Sequence, residues 1–278
     1  MLKIIENILK EGKIEEYKAE AKLIIESISG LSLDKILISN EIPNKEKMLE
    51  IAKKRVETQA PIQHILGFAY FMGEKYIVNE NVLIPRDETE ILVQKAYELI
   101  KNHENKIDIL DIGVGSGCIS CALAKKLIEK EIEILGVDIS LDAISVALEN
   151  INKLDLIRKV ILRKSDIFSK IRDIEKFDLI ISNPPYIPIS QKNELDDVVK
   201  NFDPHVALFA PDEDGIEFYQ KIIETAPKFL KKSGFLAFEL GINQSEKVKK
   251  LLEKDFENIE ITKDLAGIDR TITAQLRT

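Results

Sequence analysis

From about residue 85 onward the chain alternates between two periods, and that alternation restricts its fold more than any other feature. Apolar runs of strand length occur at "KIDILDIG" (106–113), "IEILGVD" (132–138), "KVILRKSD" (159–166), "KFDLIISN" (176–183) and "GFLAFELG" (234–241). Between or beside them lie segments of helical period: "ETEILVQKAYELIKN" (88–102), "CISCALAKKLIEK" (118–130), "LDAISVALENINK" (141–153), "GIEFYQKIIETAPKFL" (215–230) and "NQSEKVKKLLEKD" (243–255). Strand, helix and strand in succession give right-handed crossovers and parallel pairing, with helices on both faces of one sheet. "IEITKDLAGIDRTITAQL" (259–276) holds two further strands with no helix between them, an expected antiparallel closing hairpin. The predicted class is α/β: a doubly wound, mostly parallel, seven-stranded sheet over residues 85–278.

Residues 1–67 contain no such alternation and read as a small helical domain. "IEEYKAEAKLIIESISG" has apolar residues at helical spacing and ends on Gly30, a suitable C′ residue. Ser32 can cap a short helix, and Pro43 opens another in which Met48, Ile51, Ala52 and Val56 form one stripe. "FAYFMGEKYIVNENVLIP" alternates and turns at Gly73, so residues 68–84 are expected to be a β-hairpin linker.

With 45% hydrophobic and 32% charged residues, the composition is that of an ordinary soluble globular protein. No apolar run approaches the ~20 residues of a membrane span, and the first residues lack a signal peptide's pattern, so a cytoplasmic location is expected. A net charge of −8 argues against stable nucleic-acid binding. Cys118 and Cys121 form a C-x-x-C, but they lie in an apolar helix and no third cysteine exists to complete a metal site. Buried, unreactive thiols are expected, and no metal is expected.

The chemistry concentrates at strand ends. "LDIGVGSGCIS" sets Asp111, Gly113, Val114, Gly115, Ser116 and Gly117 where the first strand of the sheet turns into its helix. Glycines there permit a tight turn and close approach of a ligand to the backbone. Asp138 ends the next strand, about 20 residues beyond Gly117, followed by Ile139; a carboxylate there can accept both hydroxyls of a ribose. It can equally cap the helix of "SLDAIS". The loop begins with an acid, which suits an ammonium better than a pyrophosphate. S-adenosylmethionine meets that demand, having an α-amino group, a sulfonium and no phosphate. Asp166, at the end of the third strand, can accept from the adenine amino group or serve as a plain cap, with Ile167 and Phe168 as apolar ring contacts.

The fourth strand runs into "ISNPPYIP" (181–188). Pro184 and Pro185 lack N–H groups and fix their own φ, and each forces the residue before it into extended geometry. The chain therefore stiffens at once, holding the Asn183 amide, the Pro184 carbonyl and the Tyr186 phenol in fixed relation across the switch point where ligands sit. That arrangement suits an NH₂ group conjugated to a π-system. The Asn183 oxygen and the Pro184 carbonyl can each accept one hydrogen, concentrating density on a poorly nucleophilic nitrogen, while Tyr186 stacks on the planar group. Positioning and electrostatics suffice, without a general base.

"DIGVGSG", "GVDIS" and "SNPPYIP" together resemble the class I methyltransferases that modify planar nitrogens, a Rossmann-like family. The finer resemblance is to the release factor glutamine N5-methyltransferases. It rests on "PIQHILGFAYFMG" (61–73), "NVLIPRDETEILV" (81–93), "NPPYIP", "FDPHVALFAPDEDGIEFY" (202–219) and "DLAGIDR" (264–270). It implies S-adenosylmethionine as cofactor and, as substrate, the glutamine of the Gly-Gly-Gln motif in class I peptide-chain release factors. With glutamine as substrate, the donor half of the Asn183 amide could also bond the glutamine carbonyl. The resemblance further implies that Arg86, in the matched "IPR", contacts substrate and that the helical domain docks the factor. Asp87 stands where the family usually has proline, and Ile167 where tryptophan often follows the acid. Rival readings are a ribosomal-protein glutamine methyltransferase and a nucleic-acid amino-methyltransferase. The "IPR" match and the acidic charge weigh against them.

Overall fold

The structure, a computed structural model, describes residues 1–38 and 42–278 and divides into two compact units. The first comprises Met1–Phe68 together with Asp197–Phe202, and the second Ala69–Asp196 together with Asp203–Thr278.

The first unit is helical. It contains α1 (Leu2–Glu11), α2 (Tyr17–Ser29), α3 (Leu33–Ile38), α4 (Lys45–Thr58) and α5 (Ile62–Leu66). Gly30 ends α2 in the left-handed region at φ 70°, which costs a residue without a Cβ little. Ile5, Leu9, Ile24, Ile25, Met48, Ile51 and Ala52 form its core. Val56, expected on the same stripe, is only partly buried; Arg55 beside it is buried instead. The Arg55 guanidinium donates to both oxygens of Glu20, at 2.9 and 3.0 Å. A charge inside a small core is tolerated because it is paired bidentately.

A hairpin of β1 (Phe68–Phe71) and β2 (Glu74–Ile77), turning at Met72 and Gly73, both at positive φ, lies from Ala69 onward in the second unit and is not the separate linker expected of residues 68–84. After α6 (Asp87–Ile100) come β3 (Ile107–Ile112), α7 (Cys118–Lys126), β4 (Ile132–Asp138), α8 (Leu141–Lys153), β5 (Val160–Lys164) and β6 (Phe177–Ser182). A long connection follows, containing β7 (Ile187–Pro188), a 3₁₀ turn, α9 (Asp197–Phe202), which belongs to the first unit, and then α10 (His205–Leu208) and β8 (Phe209–Ala210). The chain then forms α11 (Glu217–Phe229), β9 (Leu230–Glu239), α12 (Ser245–Leu252), β10 (Phe256–Lys263) and β11 (Asp269–Leu276). The sheet order is β10-β11-β9-β6-β3-β4-β5. β11 pairs antiparallel with both β9 and β10, and the remaining pairs are parallel. Residues 187–214 show neither period in the sequence, and among the described residues β7 and β8 pair only with each other, across the connection.

Strand parity sorts side chains between two cores. Ile107 and Ile109 of β3, Leu179 and Ile181 of β6 and Ala237 of β9 pack against α6 and α7. Leu110, Ile112, Ile180, Leu236 and Phe238 face α11 and α12. Consequently Asp111, Asn183 and Glu239 continue the first set, on the α6–α7 side. Strand order reverses between β3 and β6, so the loops leaving these strands diverge and open a cleft. Cys118 and Cys121 are buried on the same side, and burial pushes the Cys118 thiol up to about 12, as an unreactive thiol requires.

Candidate active site

The cleft at the switch point is walled by the loops that carry the sequence motifs. Gly113, Val114, Gly115 and Ser116 after β3, Asp138 and Ile139 after β4, and Asp166 and Ile167 after β5 all face it. Asn183, Pro184 and Pro185 after β6 and Arg86 before α6 complete that set. Five separate sequence segments thus meet at one wall. Further wall residues belong to no site expected from the sequence: Asn81, Val82, Leu83 and Pro85 from the segment before α6, and Phe218 and Ile222 on α11. Phe218 and Ile222 are one turn apart on a helix whose spacing marks only a core face, so no sequence signal separates them.

The glycine loop is fastened from below. The N–H groups of Gly113 and Val114 both donate to the Val137 carbonyl at 2.9 Å, pinning the loop to the end of β4. Gly113, Gly115 and Gly117 have φ of 78°, 52° and 79°. Gly117 is off the cleft wall: a Cβ there would lie 3.2 Å from Ala147, so α8 packs where a side chain would stand. Asn150, wholly buried on α8, donates to the Ser116 carbonyl at 2.9 Å and exchanges hydrogen bonds with Ile77, tying loop and hairpin together.

Asp138 is half-buried at the rim, accepting from Gly115 N–H at 3.0 Å and from Ser140 N–H at 2.9 Å. The N-cap of α8 is Ser140, whose hydroxyl accepts from Ala143 N–H at 3.2 Å. The cap alternative for Asp138 therefore passes to Ser140, although its carboxylate still braces the glycine loop. Asp111 lies beneath that loop and off the cleft wall. Its Oδ2 accepts from the Ser120 hydroxyl at 2.6 Å, and its buried Oδ1 has no partner among the described residues. Burial, more than the nearby Asp138, pushes its carboxyl up to about 7. An orphaned acceptor under a glycine cradle suits a cationic ligand.

Ile167 has φ 46°, a strained position for a β-branched residue, and holds its side chain on the cleft wall. The turn sends Phe168 the other way: it stacks on Phe229 at 4.9 Å within the core facing α11. Phe168 is therefore a core residue and not the ring contact expected of it.

Around the proline clamp the structure adds groups that the motif alone did not identify. Asn183 Nδ2 donates to Thr89 Oγ1 at 3.3 Å, and the Thr89 hydroxyl donates to Glu239 Oε2 at 2.6 Å. Thr89 and Glu239 are both buried. Burial pushes the Glu239 carboxyl up to about 7, against the lowering effect of its hydrogen bonds with Thr89 and Asn183. Tyr186 is not on the cleft wall: its ring packs beside Gly241 and against the core facing α11 and α12, and burial raises its phenol. Stacking on a planar substrate is not the contact this ring makes here. Its carbonyl accepts from Gln244 Nε2 at 2.8 Å, and the same nitrogen donates to the carbonyls of Asp214 and Gly215. A Cβ on Gly215 would stand 2.1 Å from the Tyr186 oxygen, so only glycine fits. The Arg86 guanidinium reaches the rim and donates to Asp203 at 2.7 Å. Asp87 occupies the first helical position of α6, where an acid complements the helix dipole as a proline complements its geometry. No group of His, Cys, Asp and Glu that could hold a metal occurs among the described residues.

Comparison with known proteins gives concordant relatives. A family model described as a methyltransferase domain matches residues 103–273. A release factor glutamine methyltransferase of Fusobacterium nucleatum subsp. nucleatum is 41% identical over 246 residues, covering 87% of this chain and 68% of that protein. Another, of Chlorobaculum tepidum, is 34% identical over 284 residues, covering 98% and 95%. The crystal structure of a methyltransferase from Pyrococcus furiosus superposes with a TM-score of 0.53 at 17% identity, over 84% of this chain and 99% of that one, a likeness of fold alone.

Proposed function

Because the chain belongs to the release factor glutamine methyltransferase family, we propose that it transfers a methyl group from S-adenosylmethionine to the side-chain amide nitrogen (N5) of the Gly-Gly-Gln glutamine of class I peptide-chain release factors. The observation that carries this reading is the Asn183 amide, fixed at the wall of the cleft that the glycine loop, Asp138 and Asp166 also line.

The residues present fit the cofactor. Asp138 offers a carboxylate to a ribose beside the glycine turn, Val114, Ile139 and Ile167 offer apolar surface, and Asp166 closes the far end. Asp111 supplies the buried negative charge beneath, whose ionised form a bound cation would favour. When bound, S-adenosylmethionine supplies an electrophilic methyl group on a sulfonium. The chain's own contribution is to hold the acceptor. Asn183 spends an amide hydrogen on Thr89, leaving its oxygen available to the substrate N–H, and the Pro184 carbonyl can accept the second hydrogen. Two acceptors on one NH₂ raise the density on nitrogen and fix its direction. A bond from the Asn183 donor to the glutamine carbonyl does not suit this geometry, because that donor side faces Thr89 and Glu239.

In this reading the helical unit docks the release factor, since the cleft lining lies wholly in the other unit. The net charge of −8 supports a protein partner over a nucleic acid. No helix among the described residues is long and apolar enough to cross a membrane. The test is to offer labelled S-adenosylmethionine with release factor, ribosomal protein, RNA and DNA separately. Label should enter only the release factor, and should vanish when its Gly-Gly-Gln glutamine is replaced by alanine. Label in ribosomal protein or nucleic acid alone would refute the assignment.

A further inference from the structure

From Glu239, behind the cleft wall, through Thr89 to Asn183, both on that wall, runs a chain of hydrogen bonds whose direction the chemistry fixes. An ionised carboxylate only accepts, so Thr89 must donate its single hydroxyl hydrogen to Glu239, as the 2.6 Å contact records. The threonine oxygen is then left with acceptor capacity alone, and it takes the Asn183 Nδ2 hydrogen at 3.3 Å. Three distant segments meet here. Thr89 sits in the first turn of α6, Asn183 follows β6, and Glu239 ends β9. β6 and β9 are paired Ser182↔Phe238, so Asn183 and Glu239 lie one step further along the same register, both on the α6 side.

We propose that Glu239, acting through Thr89 and by its own contact with the amide, is a positioning residue that dictates which end of the Asn183 amide faces the substrate. The inference rests on the methyl-transfer reading above and deepens it. With Glu239 ionised, the amide oxygen is turned outward as acceptor. With Glu239 protonated, its own O–H can donate to Thr89, Thr89 can then donate to Asn183, and the amide can invert to present hydrogens to an N–H that needs an acceptor. The groups that set this ionisation are Glu88 on α6 and Arg270 on β11, besides Thr89 and Asn183 themselves; Tyr186 after β6, Tyr219 on α11 and Cys118 on α7 also lie near it and are raised by its charge. Burial dominates and raises the carboxyl, Glu88 raises it further, and Arg270 opposes both.

The experiment compares the wild type with Thr89→Val, Thr89→Ser and Glu239→Gln in single-turnover methylation of intact release factor, alongside calorimetric S-adenosylmethionine binding. Thr89→Val keeps the shape and removes the two hydrogen bonds of the hydroxyl, leaving the amide only its direct contact with Glu239; its rate should fall tenfold or more while cofactor Kd stays within threefold. Thr89→Ser should restore most of that loss. Glu239→Gln can both donate and accept, so it should slow turnover at pH 8. It should also erase the wild-type rise in rate with pH through the Glu239 ionisation, which packing alone would not do. Cofactor binding that persists identifies folded variants. Wild-type turnover in Thr89→Val, or an unaltered pH profile in Glu239→Gln, overturns the proposal. A wild type that methylates no release factor instead overturns the functional reading beneath it.

Discussion

Gln244 gives the sharpest prediction about how the clamp is held. Its side chain is buried, and Nε2 donates to the carbonyls of Tyr186 at 2.8 Å, Asp214 at 3.0 Å and Gly215 at 3.2 Å, while Oε1 accepts from Gly241 N–H at 3.1 Å. One amide therefore closes the proline loop onto the segment leading into α11. In Gln244→Ala, two N–H groups shared among three carbonyls disappear, and Gly241 N–H keeps only a 3.4 Å contact with the Tyr219 hydroxyl. At ~1 kcal/mol net per hydrogen bond, with an extra cost for a buried donor left poorly paired, the loss is about 2–4 kcal/mol. For a chain of this size that corresponds to a Tm roughly 3–7 °C lower by scanning calorimetry. Gln244→Glu is the diagnostic partner. It keeps the acceptor for Gly241 but turns an oxygen toward three carbonyl oxygens, so it should melt below the alanine variant at pH 8 despite its closer shape. In both variants methylation should slow more than cofactor binding weakens, because Tyr186 belongs to the loop that holds Asn183 and Gln244 does not face the cleft. A glutamate variant that melts with the wild type would refute the latch, since it would show the three donated bonds to be dispensable.

Asn183→Ala should leave S-adenosylmethionine affinity within a few-fold and slow methylation by about a hundredfold, comparable to losing one preorganised electrostatic contact; single-turnover rates and calorimetry separate the two. Asp138→Ala should weaken cofactor binding about tenfold or more, measured by calorimetry, because it removes both a ribose acceptor and the brace on Gly115 N–H. A truncated protein starting near Ala69, which keeps the hairpin and Asn81 with the second unit, should, where soluble, bind S-adenosylmethionine yet methylate intact release factor poorly, and full activity would sink the docking role of the helical unit. Burial raises the Asp111 carboxyl from 3.8 to about 7, so the fold favours its neutral form. Its contribution to stability is accordingly complete below about pH 4 and is lost as pH rises through 7. Asp111→Asn should flatten that part of the Tm–pH curve, and saturating cofactor should flatten it in the wild type.

Local and periodic features were legible in the chain alone. Switching of hydrophobic period marked the seven-stranded sheet and the helical segment before it, since strands buried on both faces leave continuous apolar runs. Glycines at positive φ and the paired prolines marked the loops after β3 and β6, because those residues set backbone geometry without help from the rest of the fold. Relations between segments were not legible in this way. Glu239 looked like one more residue of an apolar strand, and only the register of β9 against β6 sets it behind Asn183. Thr89 was legible as part of a motif but not as a relay, for its role depends on α6 lying across that face of the sheet. Phe168 and Tyr186 went the opposite way: both sit beside functional residues in the chain, yet the turns after Ile167 and Pro185 direct their rings into packing. Adjacency in sequence constrains φ and ψ, whereas the side that a ring or carboxylate faces is fixed by strand pairing and by what the opposing helix leaves unfilled.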